Sequence, residues 1–109
     1  MRRVIIESPY AGDTDRSLRF LRACMRDCLL RGEAPFASHA LYTQPGVLDD
    51  TDPQERRLGM EAGFEWHSAC DAVVVYENLG ITQGMAEGIQ RAKDGGWTIE
   101  RRTLWNWTE

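Results

Sequence analysis

The run Ala72-Val73-Val74-Val75-Tyr76 constrains the fold of this chain more than any other segment. A strand with one wet face alternates apolar and polar residues, and this run does not alternate. Both of its faces must therefore be covered, which is the mark of a parallel sheet packed between helices. Arg3-Val4-Ile5-Ile6-Glu7 is a second β-branched run, ended by the turn formers Ser8-Pro9-Tyr10-Ala11-Gly12-Asp13. Weaker strand signals lie at Pro35–His39 and at Trp97–Leu104, where Thr98 to Arg102 alternates moderately.

Helical periodicity fills the gaps between these runs. From Asp15 to Arg31 the apolar residues Leu18, Leu21, Met25, Cys28 and Leu29 recur at helical spacing. Arg19, Arg22 and Arg26 share the opposite stripe as a solvated face or an oligomer contact, and Gly32 stands where a left-handed cap ends the helix. Residues 40–51 read as a loop. Asp52 is then placed to cap a helix, with Pro53 at its first position and Glu55 where a capping-box carboxylate belongs. That helix is predicted to continue through Leu58, Met60, Ala62 and Trp66 towards Ala69. Another opens at Thr82 or Gln83 and runs to Asp94, where Gly95-Gly96 stop it. Alternating strands and helices predict one three-layer α/β domain over residues 1–104. Its mainly parallel sheet has four or five strands with helices on both faces, and residues 105–109 form a tail.

Size and charge narrow the function. A chain of 109 residues with net charge −4 offers no basic field to nucleic acid or an anionic membrane surface. No apolar stretch approaches a membrane span, and Met1 to Glu7 lacks the longer apolar run of a signal peptide. A cytoplasmic location follows as the expectation, the host cytoplasm if the chain is phage-encoded. Cys24, Cys28 and Cys70 are odd in number, which argues against a disulfide framework. Cys24 and Cys28 could share a metal with His39 or His67, but core packing suits them better, and neither a metal nor a cofactor is implied. A site on so small a domain is shallow without a neighbour, so a homodimer or larger homo-oligomer is expected.

Open α/β sheets bind ligands beyond the carboxyl ends of their strands. That rule selects three loops: Ser8 to Thr14, Ser38 to Tyr42 and Glu77 to Gly84. They carry Ser8, Tyr10, Asp13, His39, Tyr42, Glu77, Asn78, Thr82 and Gln83, polar groups suited to a sugar or phosphate. Pro9, Ser38 and, one residue beyond the third loop, Met85 join the candidate ligand-binding set, with Gly12 and Gly84 allowing close backbone approach. Each has a plainer reading as turn chemistry or a surface side chain, and no Walker, Rossmann-glycine or nucleophile-elbow motif is present.

Several segments carry a resemblance. They are Glu7 to Gly12, Ala34 to Tyr42, Glu55 to Gly59, Cys70 to Tyr76 and Gly80 to Met85. On these the chain resembles the nucleoside 2-deoxyribosyltransferase-like group, and more closely a family of small proteins common in bacteriophage and bacterial genomes. The resemblance implies a Rossmann-type, deoxyribosyltransferase-like fold and a nucleoside, nucleotide or ADP-ribose-like ligand. Ser8, Tyr10, Gly12 and Asp13 would line its phosphate or sugar side. It also implies a glutamate nucleophile on the helix that Gly84 and Met85 begin. Aligning the glycines puts that nucleophile on Ala86 or on Gly88, with Glu87 between them. One residue turns a helical side chain by about 100°, so Glu87 points elsewhere. Three functions follow. The first is a non-catalytic pocket, sequestering a signalling nucleotide. The second is an N-glycosidic enzyme, a deoxyribosyltransferase or hydrolase, with Glu87 or Glu77 as nucleophile and Asp13, His39 or Tyr42 assisting. The third is a protein-interaction module displaying Trp97, Trp105 and Trp107.

Overall fold

The computed structural model describes residues 1–109, and strand and helix alternate along it. The elements are β1 (Arg2–Glu7), α1 (Thr14–Leu30), β2 (Glu33–Phe36), α2 (Ser38–Leu41) and α3 (Pro53–Phe64). A 3-10 turn (His67–Ala69), β3 (Ala72–Tyr76), α4 (Gln83–Asp94) and β4 (Thr98–Arg102) complete the chain. The four strands make one sheet in the order β2-β1-β3-β4, every pair parallel. All five residues of β3 are buried, as its unbroken apolar run requires.

The two faces of the sheet carry separate cores. On one, Phe20, Leu21, Cys24 and Cys28 of α1 pack on Val4, Ile6, Ala72, Val74 and Tyr76. On the other, Met85, Ile89 and Ala92 of α4 pack on Ile5, Val73 and Val75. Strand periodicity thus sends Val4 and Ile6 to one layer and Ile5, with Glu7 beyond it, to the other. Helix α3 lies beside α4, tied to it by the ion pairs Arg57–Glu87 and Arg91–Glu61. Free thiols Cys24 and Cys28 are core residues with no exposed surface. No helix is long and apolar enough to cross a membrane.

Local chemistry sets the helix starts. The Asp52 side chain accepts from the amides of Gln54 and Glu55 at 2.9 and 3.3 Å, and Thr82 Oγ1 accepts from Met85 N at 3.2 Å. Gly32 has φ +80°, the left-handed geometry expected after α1. Three boundaries differ from the sequence reading. Strand β2 begins at Glu33 and ends at Phe36, and Ser38 and His39 open the short helix α2 in place of a strand end. The Glu55 carboxylate accepts from Asp49 N at 3.1 Å, so it holds the preceding loop and does not close a capping box. Helix α3 stops at Phe64 because packing turns the next residues away. Trp66 stacks on Phe36 with ring centroids 5.0 Å apart and donates to the Tyr42 hydroxyl at 2.9 Å. His67 sits between Phe64 and Trp97.

Candidate active site

The chain leaves β1 towards β2 on one side and later returns to β3 on the other, so strand order reverses at β1. The crevice of such a sheet opens beyond the carboxyl end of that strand. A cavity of about 90 Å³ lies there. Its walls come from the end of β1, from α2, from α3 and from the first turn of α4.

Glu7 is the last residue of β1 and points to the α4 side of the sheet. Its neighbour there is Gly88. A methyl group placed on the Gly88 Cα would lie 2.7 Å from Glu7 Cδ and closer still to Oε2. No cation or hydrogen-bond donor of the chain meets the carboxyl, and burial alone pushes its pKa up to about 8. A cavity-facing acid without a partner stabilises nothing in the fold, which makes it the first candidate for chemistry.

Ser8 and His39 form the adjacent wall. Ser8 Oγ lies 2.8 Å from His39 Nε2, joining the end of β1 to the first turn of α2. Burial holds the imidazole well below its usual range, at about 4, so it is neutral near pH 7. The Tyr10 ring meets it edge-on, with centroids 6.5 Å apart. Helix α2 can approach α3 this closely because residue 63 has no side chain. A Cβ there would sit 2.6 Å from Ser38 Oγ. At the mouth, Arg56 is the single Arg or Lys in the cavity wall. It donates to Asp50 at 2.7 Å, and its guanidinium lies against Gly84 in the first turn of α4. His67 closes the floor; it is only 3% exposed, and burial and Arg91 lower its pKa.

Eight of the residues drawn from the strand-end loops face this one cavity: Ser8, Tyr10, Ser38, His39, Tyr42, Thr82, Gly84 and Met85. The others lie elsewhere. Asp13 caps α1, accepting from Arg16 N at 3.1 Å, and Gly12, with φ +94°, makes the turn before it. Pro9 is buried but outside the cavity wall. Asn78 ties itself to Leu104 through two 2.8 Å bonds, donating to its carbonyl and accepting from its amide. Neither proposed nucleophile reaches the cavity. Glu87 is held outside by Arg57, which keeps its carboxyl below the usual range, and Glu77 pairs with Arg101 at 3.4 Å. Of the three tryptophans, Trp97 packs on the α4-side core and Trp107 meets Phe20 edge-on, while Trp105 is 91% exposed.

The sequence reading missed Glu7, Arg56 and His67 as members of this site. For Glu7 the signal was a charged residue ending an apolar strand at the sheet's carboxyl edge. Arg56 and His67 gave no local sign, since α3 and the turn after it contribute only by folding over β1.

Comparison with known proteins agrees with this architecture. The model of a family described as a domain of unknown function, DUF7768, matches residues 2–102. No curated protein matches the sequence significantly. Among solved structures, the 2-deoxyribosyltransferase of the psychrotolerant bacterium Bacillus psychrosaccharolyticus superposes with a TM-score of 0.65 at 13% identity. The match covers 98% of this chain and 76% of that one. The CMP N-glycosidase BcmB of Clostridium botulinum superposes with a TM-score of 0.54 at 12% identity, covering 98% and 75%. At these identities the likeness is one of fold.

Proposed function

The chain belongs to the DUF7768 family, and we propose that it cleaves or exchanges the N-glycosidic bond of a nucleoside or nucleotide. Glu7 is the nucleophile in this reading. One observation carries it: an unpartnered carboxyl opens into the cavity at the reversal of strand order. The fold supports the choice of chemistry, because both solved relatives are named for work on such bonds. So does position 88, one of the two places where the resemblance sets a helix-borne glutamate. Here it is a glycine over which the Glu7 carboxyl lies.

The chemistry follows from the charges. Ionised Glu7 attacks the anomeric carbon as the bond to the base breaks, and the electron pair leaves on the base nitrogen. That nitrogen takes a proton from a hydroxyl of the cavity wall, with Tyr10, Tyr42 and the Ser8–His39 pair as the available donors. Water or a second base then displaces the sugar from Glu7, giving its own proton back to the hydroxyl that was spent, and restores the carboxylate. Burial makes the ionised form scarce at pH 7 but more basic, and positive charge developing on the sugar favours it. A cavity of about 90 Å³ accommodates the sugar and leaves the base at the mouth, since pockets enclosing whole ligands span roughly 300 Å³ or more. Arg56, against the first turn of α4, is where a phosphate on that sugar is best received.

The test is a panel of ribo- and deoxyribonucleosides and their 5′-monophosphates, with release of free base followed by mass spectrometry. Release by the wild-type chain, rising with pH towards 8 and abolished by Glu7→Gln, is the expected result. If every compound stays intact, the reading fails. A tight complex with unchanged ligand would leave a binding pocket in place of an enzyme.

A further inference from the structure

We propose that Gly88 is the positioning residue of the Glu7 carboxyl, and that this carboxyl slot can be reached from β1 or from α4 but not from both. The inference deepens the reading of the cavity above and rests on it only where turnover is measured. Its basis is steric. Gly88 is buried within α4, and a Cβ there would fall 3.0 Å from Glu7 Oε1, 2.7 Å from Cδ and closer to Oε2. A gap under 3.0 Å between such atoms does not persist, so any side chain at 88 must displace the carboxyl.

The same geometry makes the slot transferable. The Cβ direction of residue 88 leads into the volume that the Glu7 carboxyl fills. A short acid at 88 would therefore place its own carboxyl there once Glu7 is truncated. Glycine inside a helix is also a cost, since alanine is the better helix former by about 1 kcal/mol. The chain bears that cost in the middle of α4, where nothing in the helix backbone asks for glycine: positive φ occurs at Gly12, Gly32, Gly46, Gly80 and Gly96, and not at Gly88. What requires the missing side chain is Glu7.

The experiment compares Gly88→Ala, Glu7→Ala, Glu7→Ala with Gly88→Ala, and Glu7→Ala with Gly88→Asp. Side-chain carboxyl titration by carbon NMR and melting temperature are read on each folded chain. In the wild type one glutamate carboxyl should titrate near pH 8. Gly88→Ala should move that midpoint down by roughly two units or more, towards the ordinary carboxylate range. Glu7→Ala should remove it. Glu7→Ala with Gly88→Asp should create a new aspartate titration, raised above the ordinary range by the same burial. In the Glu7→Ala background Gly88→Ala should raise the melting temperature by helix preference alone, and beside Glu7 it should shift it by a different amount, since there it also displaces the carboxyl. The proposal is overturned if Gly88→Ala leaves the high titration in place, or raises the melting temperature equally in both backgrounds. It is also overturned if the transplanted aspartate titrates like a surface acid. None of these readouts needs turnover, so they stand even if the panel above shows no reaction. Base release lost in Glu7→Ala and regained with Gly88→Asp would support the slot and the reaction together.

Discussion

Glu7 and His39 shape the pH dependence of stability from opposite sides. Glu7 ionises at about pH 8 in the fold against 4.5 ordinarily. As pH rises from 4.5 to 8 the unfolded chain loses this proton while the folded chain keeps it, so stability falls with rising pH. His39 protonates at about 4 in the fold against 6.5 ordinarily. As pH falls from 6.5 to 4 the unfolded chain gains a proton that the folded one refuses, so stability falls with falling pH. Between about 4.5 and 6.5 the Glu7 effect is opposed by His39 and by His67, whose pKa burial also lowers, and above 6.5 the Glu7 effect dominates. The wild type should therefore lose about 1–1.5 kcal/mol between pH 6.5 and 8, the slope staying below about 1.4 kcal/mol per unit as pH nears 8. Glu7→Gln should abolish that decline. Urea denaturation at the two pH values decides it, and an equal decline in both proteins would show that Glu7 is not the source. This feature was only half legible in the sequence. A charged residue ending an apolar strand was visible, but the absence of any partner, and the room that Gly88 leaves for the carboxyl, arise only in the fold.

Where a helix begins is settled by residues within one turn, and here the sequence was informative. Asp52 and Thr82 cap α3 and α4 as their side chains and positions imply. Asp52→Ala should cost about 1 kcal/mol in chemical denaturation, the usual value of a cap. Where a helix ends was less legible, because contacts from distant elements decide it. Helix α3 gives way at Phe64 so that Trp66 can reach Phe36 and Tyr42, and nothing in residues 60–66 encodes those partners. The placement of Glu87 is an element-scale matter too. One step along α4 from Gly88, it faces α3 and pairs with Arg57. Glu87→Gln should leave base release within a factor of about two and cost under about 1 kcal/mol, the worth of a half-exposed ion pair. Glu77→Gln should behave alike. A loss of turnover in either variant beyond tenfold would return that carboxylate to the reaction.

At the scale of the molecule, the alternation of strand and helix conveyed a parallel three-layer domain, but strand order was not legible. It depends on which edges meet, and the two edges of this sheet are joined by a buried ion pair within a network that also takes in Arg2 and Glu100. Arg102 on β4 donates to both oxygens of Glu33 on β2, at 2.8 and 2.7 Å, and each side chain is 7% exposed. Arg102 also donates to the Tyr76 hydroxyl at 3.1 Å, which donates onward to Asp27 of α1 at 2.6 Å. The pair holds Glu33 below the usual carboxylate range. Such a pair repays its desolvation only while both partners are present. Glu33→Ala leaves Arg102 charged and buried with only Glu100, at 3.1 Å, as an ionic partner, and should cost about 3 kcal/mol, a large part of the 5–15 kcal/mol that holds a typical domain together. Replacing both residues with methionine removes the charge with its partner and should recover most of that loss. Urea denaturation of the single and double variants distinguishes the cases: a double variant as unstable as Glu33→Ala would mean that the pair stabilises the sheet outright. The network lies on the α1 side of the sheet and the cavity on the α4 side. The high Glu7 titration should therefore survive in the double variant, and its loss there would show that sheet closure at the edges is what holds the site together.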